Sequence, residues 1–143
     1  MLELMWLNGV IYAFLGAIHF YWAAGGRKWS QNALPQSEEN GNPVFVPGLI
    51  ACLVVGIGLI LFAIFSWLST IIFAHHSRFI LIGNIAIAII FLARSVGDFK
   101  YVGFFKKIRS TEFARIDTEL YTPLCLYLGW VHAYYALPFW MGR

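Results

Sequence analysis

The chain has 143 residues, 60% of them hydrophobic, 18% aromatic and only 12% charged, with a net charge of +3 and a mean hydropathy of +0.71. A soluble domain carries about a quarter charged residues, so this composition excludes an ordinary soluble globular protein: one small core cannot absorb so much apolar surface. The positive charge comes from one loop and not from a face that could follow a phosphate backbone, which excludes nucleic-acid binding.

The N-terminal stretch Met1-Leu2-Glu3-Leu4-Met5-Trp6 places an acid where a secretory signal carries Lys or Arg. It reads as the start of an uncleaved first helix over about residues 4–24, ended by Gly25-Gly26-Arg27-Lys28. A polar, turn-rich loop follows, from Trp29 through Pro35, Glu38 and Glu39 to Pro43. No Asp, Glu, Lys or Arg occurs between Glu39 and Arg78, a window well beyond the ~20 residues a bilayer span needs. The second helix is predicted there, over about 47–73, with Pro47 at a favoured first position. The turn His75-His76-Ser77-Arg78 leads into the third helix, whose clean apolar run stops at Ala93. At about 1.5 Å per residue it must reach Asp98 to cross a hydrocarbon core of about 30 Å, which sets it at 79–98 with Arg94 and Asp98 on the membrane boundary. Thr122 as N-cap and Pro123 as first residue open a fourth helix over about 123–140.

The expected fold class is therefore all-α: a single domain over 1–143, an integral membrane bundle of four transmembrane helices, with a short amphipathic cytoplasmic segment between helices 3 and 4. That segment sets Tyr101, Phe104, Phe105 and Ile108 at i, i+3, i+4, i+7 spacing among Lys100, Lys106, Lys107 and Arg109, as a strip lying in the headgroups of an anionic leaflet would. Arg27, Lys28, Lys100, Lys106, Lys107, Arg109 and Arg115 all fall in the loops after the first and third helices, against only Arg78 and Arg143 on the other side. The positive-inside tendency then makes those loops cytoplasmic and both termini external. Trp6, Trp67 and Trp140 fall at the external interface in this arrangement, and Trp22 and Trp29 at the cytoplasmic one.

Helical phasing sets Asn8, Tyr12, His19 and Trp22 on one stripe of the first helix, Asn84, Phe91, Ser95 and Asp98 on the third, and Tyr121, Cys125, His132 and Tyr135 on the fourth. The second helix has no such stripe and is expected to face lipid, a second copy of the chain or another membrane partner. Small residues at spacing four (Gly9, Ala13, Ala17; Gly129, Ala133) predict close approach of the first and fourth helices. Ionisable residues at a membrane edge are costly unless they pair or serve a purpose. His19, Trp22, Arg94, Asp98, Lys100, Asp117 and Tyr121 come to a similar depth at the cytoplasmic boundary and form the candidate ligand-binding set. Arg94 and Asp98 either close the helix end as an i, i+4 ion pair, or Arg94 points inward to hold an anionic group with Asp98 orienting it. His19 is either a structural hydrogen-bonding residue or a proton donor and acceptor, and His132 is expected to bond Asn84 or Asn8.

No metal is expected, because His75-His76 has no third ligand in view. No cofactor is expected either: His19 and His132 differ in depth by several ångströms, unlike the axial ligands of one haem. Cys52 and Cys125 read as small apolar residues near one boundary, where they could touch. The leading expectation is a binding protein for a lipid or other small amphiphilic, anionic ligand. The alternative is an intramembrane enzyme that acts on a lipid or isoprenoid-like substrate by His-mediated proton transfer, although no nucleophile–base pair is legible. A third reading is a structural subunit that meets its partner through the second helix.

Four strings fix a resemblance. They are Gly16-Ala17-Ile18-His19-Phe20-Tyr21-Trp22-Ala23-Ala24-Gly25-Gly26, Arg94-Ser95-Val96-Gly97-Asp98-Phe99, Gly103-Phe104-Phe105-Lys106-Lys107, and Phe113-Ala114-Arg115-Ile116-Asp117-Thr118-Glu119-Leu120-Tyr121-Thr122-Pro123-Leu124. Together they resemble the small bacterial four-helix membrane proteins grouped as domain of unknown function 3995. The resemblance covers nearly the whole chain. It implies a multi-pass protein of the bacterial cytoplasmic membrane and supplies no activity.

Overall fold

The computed structural model describes residues 2–72 and 78–140. His75, His76 and the expected end of the second helix at Phe73 lie outside the described residues. The order of elements is α1 (Leu2–Ala23), α2 (Ser30–Ala33), α3 (Leu49–Ile72), α4 (Arg78–Val96), α5 (Glu112–Ile116), a π-helical turn (Asp117–Tyr121) and α6 (Thr122–Trp140). The chain is all-helical among the described residues, apart from an isolated bridge between Gln36 and Pro43. Among the described residues three helices, α1, α3 and α4, are long and apolar enough to cross a membrane. α6 carries Tyr127, Trp130, His132, Tyr134 and Tyr135.

The helices associate as two pairs. α1 packs chiefly along α3, and α4 chiefly along α6, with far less backbone approach between the pairs. Small residues allow both pairings. A Cβ on Gly16 would sit 3.2 Å from the Gly56 carbonyl oxygen of α3, and one on Gly129 would sit 3.1 Å from the Ala88 carbonyl oxygen of α4. The small residues of the first and fourth helices therefore serve α1–α3 and α4–α6, not the α1–α6 approach that their spacing suggested.

Side chains fill the seam between the pairs. Tyr12, with no exposed surface, packs its ring 5.2 Å from Phe91 and 5.8 Å from His132, and Phe62 lies 6.0 Å from Phe91. Each such ring pair adds about 0.5–1.5 kcal/mol to the burial itself. One level further along, His132 Nδ1 lies 2.8 Å from Asn84 Oδ1, Asn84 donates to Ile80 O at 2.8 Å, and Tyr135 donates its hydroxyl to Ser69 O at 2.8 Å. The expected His132–Asn84 bond is thus present.

The second predicted helix has a polar face after all. In α3, Cys52, Gly56, Leu59, Ala63, Ser66 and Ser69 are buried, while Ile50, Val54, Ile57, Leu61, Ile64, Leu68 and Ile71 are exposed. Ser66 and Ser69 escape a reading by hydropathy because a buried serine satisfies its own hydroxyl: Ser66 donates to Phe62 O one turn back, at 2.8 Å.

At one end of the bundle the two long loops meet. Ser110 donates to Glu38 Oε1 at 2.6 Å, Phe113 N–H donates to Gln36 Oε1 at 3.2 Å, and Tyr121 donates to Asn32 O at 3.4 Å. At the other end Trp6 and Trp67 lie with ring centroids 5.8 Å apart, and the Trp67 indole donates to Trp6 O at 3.3 Å.

Candidate functional site

The site lies where α4 runs out. Gly97 at φ +92° ends the helix, and its N–H still donates to Ala93 O at 2.9 Å. The chain then folds back on itself, so that Phe104 N–H donates to Ser95 O at 2.9 Å. Asp98 organises this reversal: its Oδ1 accepts from the N–H groups of Lys100 (2.9 Å), Tyr101 (2.7 Å) and Val102 (2.9 Å). Burial nudges this carboxyl upward, but the backbone donors outweigh it and hold the pKa below the usual range. Asp98 is therefore a turn-former at the surface. Neither the i, i+4 ion pair nor the alternative orienting bond joins Asp98 to Arg94: Asp98 Oδ1 holds the turn, and Arg94 bonds Asp117.

The same reversal removes the expected amphipathic strip. Residues 97–111 form turns, with a second left-handed glycine at Gly103 (φ +88°), and the four apolar residues share no helical face. Lys106, read as a headgroup cation, is 3% exposed. The reason is Asp117.

Asp117 has no exposed surface. Its Oδ1 accepts from Arg94 Nη2 at 2.8 Å. Its Oδ2 accepts from Gly103 N–H (2.9 Å), Lys106 Nζ (2.9 Å) and Thr122 Oγ1 (3.0 Å). Lys106 spends its other donors on Thr118 Oγ1 (2.6 Å) and Gly103 O (3.3 Å). Burial alone would push the Asp117 carboxyl upward; the bonds from Arg94, Lys106 and Gly103 more than offset it and hold the group ionised below the usual range. Two cations on one carboxylate leave the cluster with one net positive charge. Arg94 Nη1 is buried and has no hydrogen-bond partner.

The local backbone explains why Asp117 points here. Thr111 caps α5, accepting from Ala114 N–H at 3.2 Å. The helix then widens into the π turn and continues unbroken into α6: α6 starts at Thr122, close to the predicted place, but Thr122 is itself helical and does not act as the predicted N-cap. Pro123 has no N–H to give to the preceding turn and its ring crowds that turn's carbonyl. The π turn immediately before it relieves both, and such bulges concentrate at functional positions. Thr122, freed from capping, bonds Asp117 instead.

Among the sequence-derived candidates, Arg94 and Asp117 are joined directly, with Tyr121 in the same turn as Asp117. His19 and Trp22 form a separate contact, edge to face at 5.0 Å. His19 Nδ1 lies 2.8 Å from Leu15 O, which can only accept, so that nitrogen carries the proton. The Trp22 indole donates to Lys28 O at 2.9 Å. Lys100 is exposed and sits 4.9 Å over the Tyr101 ring. Among the described residues none of His19, Trp22, Asp98 and Lys100 bonds to Arg94 or Asp117. Lys106, Gly103, Thr118 and Thr122 are the members that sequence reasoning missed. The legible signal was Thr122-Pro123 one turn after Asp117, which marks a helix that must deform if it starts earlier.

Among the described residues no three His, Cys, Asp or Glu side chains group as metal ligands. Cys52 and Cys125 are free thiols. Comparison with curated proteins and with solved structures finds no match. A family model described as protein of unknown function (DUF3995) matches residues 12–136, a span that includes Arg94, Lys106, Asp117 and the π turn. On that match the chain belongs to the DUF3995 family.

Proposed function

We propose that this protein is a four-span protein of the bacterial cytoplasmic membrane that binds a small anionic amphiphile at the cytoplasmic end of its bundle. Both termini are external in this reading, and α6 is the fourth span, with His132 and Tyr135 turned to the seam between the helix pairs. The observation that carries the binding role is the Arg94–Lys106–Asp117 cluster. A buried carboxylate that needs only one cation is given two, and the second guanidinium nitrogen of Arg94 is left buried without a partner. Buried polar groups are almost always satisfied, and an arginine fork at a membrane edge suits a carboxylate or phosphate. Asp117 fixes Arg94 in place, so the site is organised before the ligand arrives.

Native mass spectrometry of the purified protein tests this. The expected result is a co-purifying anionic amphiphile that is lost from folded Arg94→Ala protein and retained in Lys100→Ala protein. Equal retention by wild type and Arg94→Ala would overturn the assignment.

A further inference from the structure

Two depressions meet on the outer face of the α4–α6 pair. One is an apolar groove of about 410 Å³, walled by Leu92 of α4 and by Pro123, Leu126, Trp130 and Ala133 of α6, with Phe104 of the loop at its head. Its volume falls within the ~300–1,000 Å³ of pockets that hold small molecules. From Pro123 to Ala133 it runs about 15 Å along the helix. The other is a smaller depression of about 150 Å³ lined by Gly103, Phe104, Lys106, Arg109, Thr118 and Thr122. Phe104 lines both, and Thr122 of one is followed directly by Pro123 of the other, so the two lie side by side.

We propose that the groove holds one acyl chain of an anionic phospholipid whose phosphate lies against Arg109 in the adjoining pocket. This rests on the reading of the same end of the bundle as an anionic-amphiphile site, and it names the ligand class. The cationic side chains lie at one end of this surface only. The groove offers hydrocarbon and aromatic walls suited to an alkyl chain and little to a polar peptide. The pocket offers charge: Lys106 has spent its donors and acts as fixed positive charge beside Asp117, with Arg94 leaving the cluster net positive. Arg109 is exposed, gives only its Nε–H to Lys106 O at 3.3 Å, and forms no ion pair among the described residues. Its terminal nitrogens remain for a phosphate. Thr122 and Pro123 stand side by side at the junction, so the polar-to-apolar change falls where a lipid changes from head to tail.

The test is competitive binding by native mass spectrometry. Delipidated protein is offered an equimolar mixture of phosphatidylglycerol and phosphatidylcholine. Wild type is expected to retain phosphatidylglycerol about fivefold over phosphatidylcholine, the ratio that one basic side chain near a headgroup confers. Arg109→Ala should bring the two lipids level. Ala133→Phe should lower retention of both by filling the groove, and Leu126→Trp does the same from an exposed position should Ala133→Phe fail to fold. Millimolar inorganic phosphate should not displace the lipid. No lipid preference in wild type, or undiminished retention in both folded groove variants, overturns the proposal; displacement by phosphate does so too and assigns a free-anion site. If Arg94→Ala loses its amphiphile while the groove variants keep theirs, only the groove assignment falls. If the groove variants lose lipid while Arg94→Ala does not, the groove stands and the Arg94 site falls.

Discussion

Arg94 and Asp117 form a 2.8 Å ion pair across 23 residues of sequence, tying the last turn of α4 to the π turn that precedes α6. Asp117 is fully buried and holds Lys106, itself nearly buried, on its other oxygen. Replacing one member of a buried pair strands the other's charge, at a cost of about 3–5 kcal/mol. Asp117→Ala strands two cations and should fall in that range or above it, as read by denaturant titration in micelles. Lys106→Met leaves Asp117 with Arg94 and should cost less. Equal and small effects would show that water already reaches the cluster.

The same carboxylate sets an acid limit. An unfolded aspartate titrates near about 3.9, and the folded Asp117 lies lower. A depressed folded pKa contributes stability that is complete above the unfolded value and is lost as pH falls through the folded one. The melting temperature should therefore hold steady from neutrality to about pH 4 and fall below it. Asp117→Asn should melt lower at neutral pH and show a flatter acid limb. Asp98 is shifted in the same direction by three backbone donors, but it is exposed, so Asp98→Asn should alter that limb much less.

The membrane-length helices, the place of Arg94 in the last turn of its helix and the His132–Asn84 bond were legible in the sequence because each follows from span length or helical phasing. Lys106 was not. Its neighbours Phe104, Phe105 and Lys107 fit an interfacial helix, and only the glycines at 97 and 103 hinted that the backbone reverses there. Thr122-Pro123 is a good helix start by local rules, and here the chain overrode it by widening the preceding turn. The seam-facing side of α3 was hidden for a different reason. Ser66 and Ser69 are too few to register against the nineteen apolar residues of α3, yet they face the seam.

The reversal after α4 depends on two left-handed glycines. A Cβ at Gly97 would collide with the Val102 carbonyl, and one at Gly103 with the Val96 carbonyl. Both obstacles are backbone, so neither can swing aside. Left-handed backbone alone costs a non-glycine residue about 1–2 kcal/mol, and the clash adds to that. Gly97→Ala and Gly103→Ala should each displace the 98–106 turn and detach Lys106 from Asp117, seen as a lower melting temperature. Gly58→Ala, inside α3 where a Cβ meets open space, is the control and should not lower the melting temperature.

The polar seam makes a smaller contribution. Asn84 accepts from His132 and donates to Ile80 O and, at 3.4 Å, to Ser69 Oγ. Hydrogen bonds between helices in membranes average about 0.6 kcal/mol and reach about 1.7. Asn84→Ala and His132→Ala should each cost an amount within that range, and the double variant should cost less than their sum, because each single change already breaks the shared bond. Strict additivity in an unfolding titration would show that the two residues act independently.

The orientation of the protein in the membrane is testable through Ser110, which is exposed and bonds Glu38 of the other loop. The two loops share one end of the bundle, so labelling one reports on both. They also hold most of the basic residues, and basic loops stay on the cytoplasmic side. Ser110→Cys, in a chain whose Cys52 and Cys125 are replaced by alanine, should resist a membrane-impermeant thiol reagent in intact cells and react once the membrane is opened. Reaction in intact cells would place the Arg94–Asp117 cluster on the outer face. The amphiphile would then have to come from the outer leaflet, where the same lipid-competition experiment in oriented vesicles would find it.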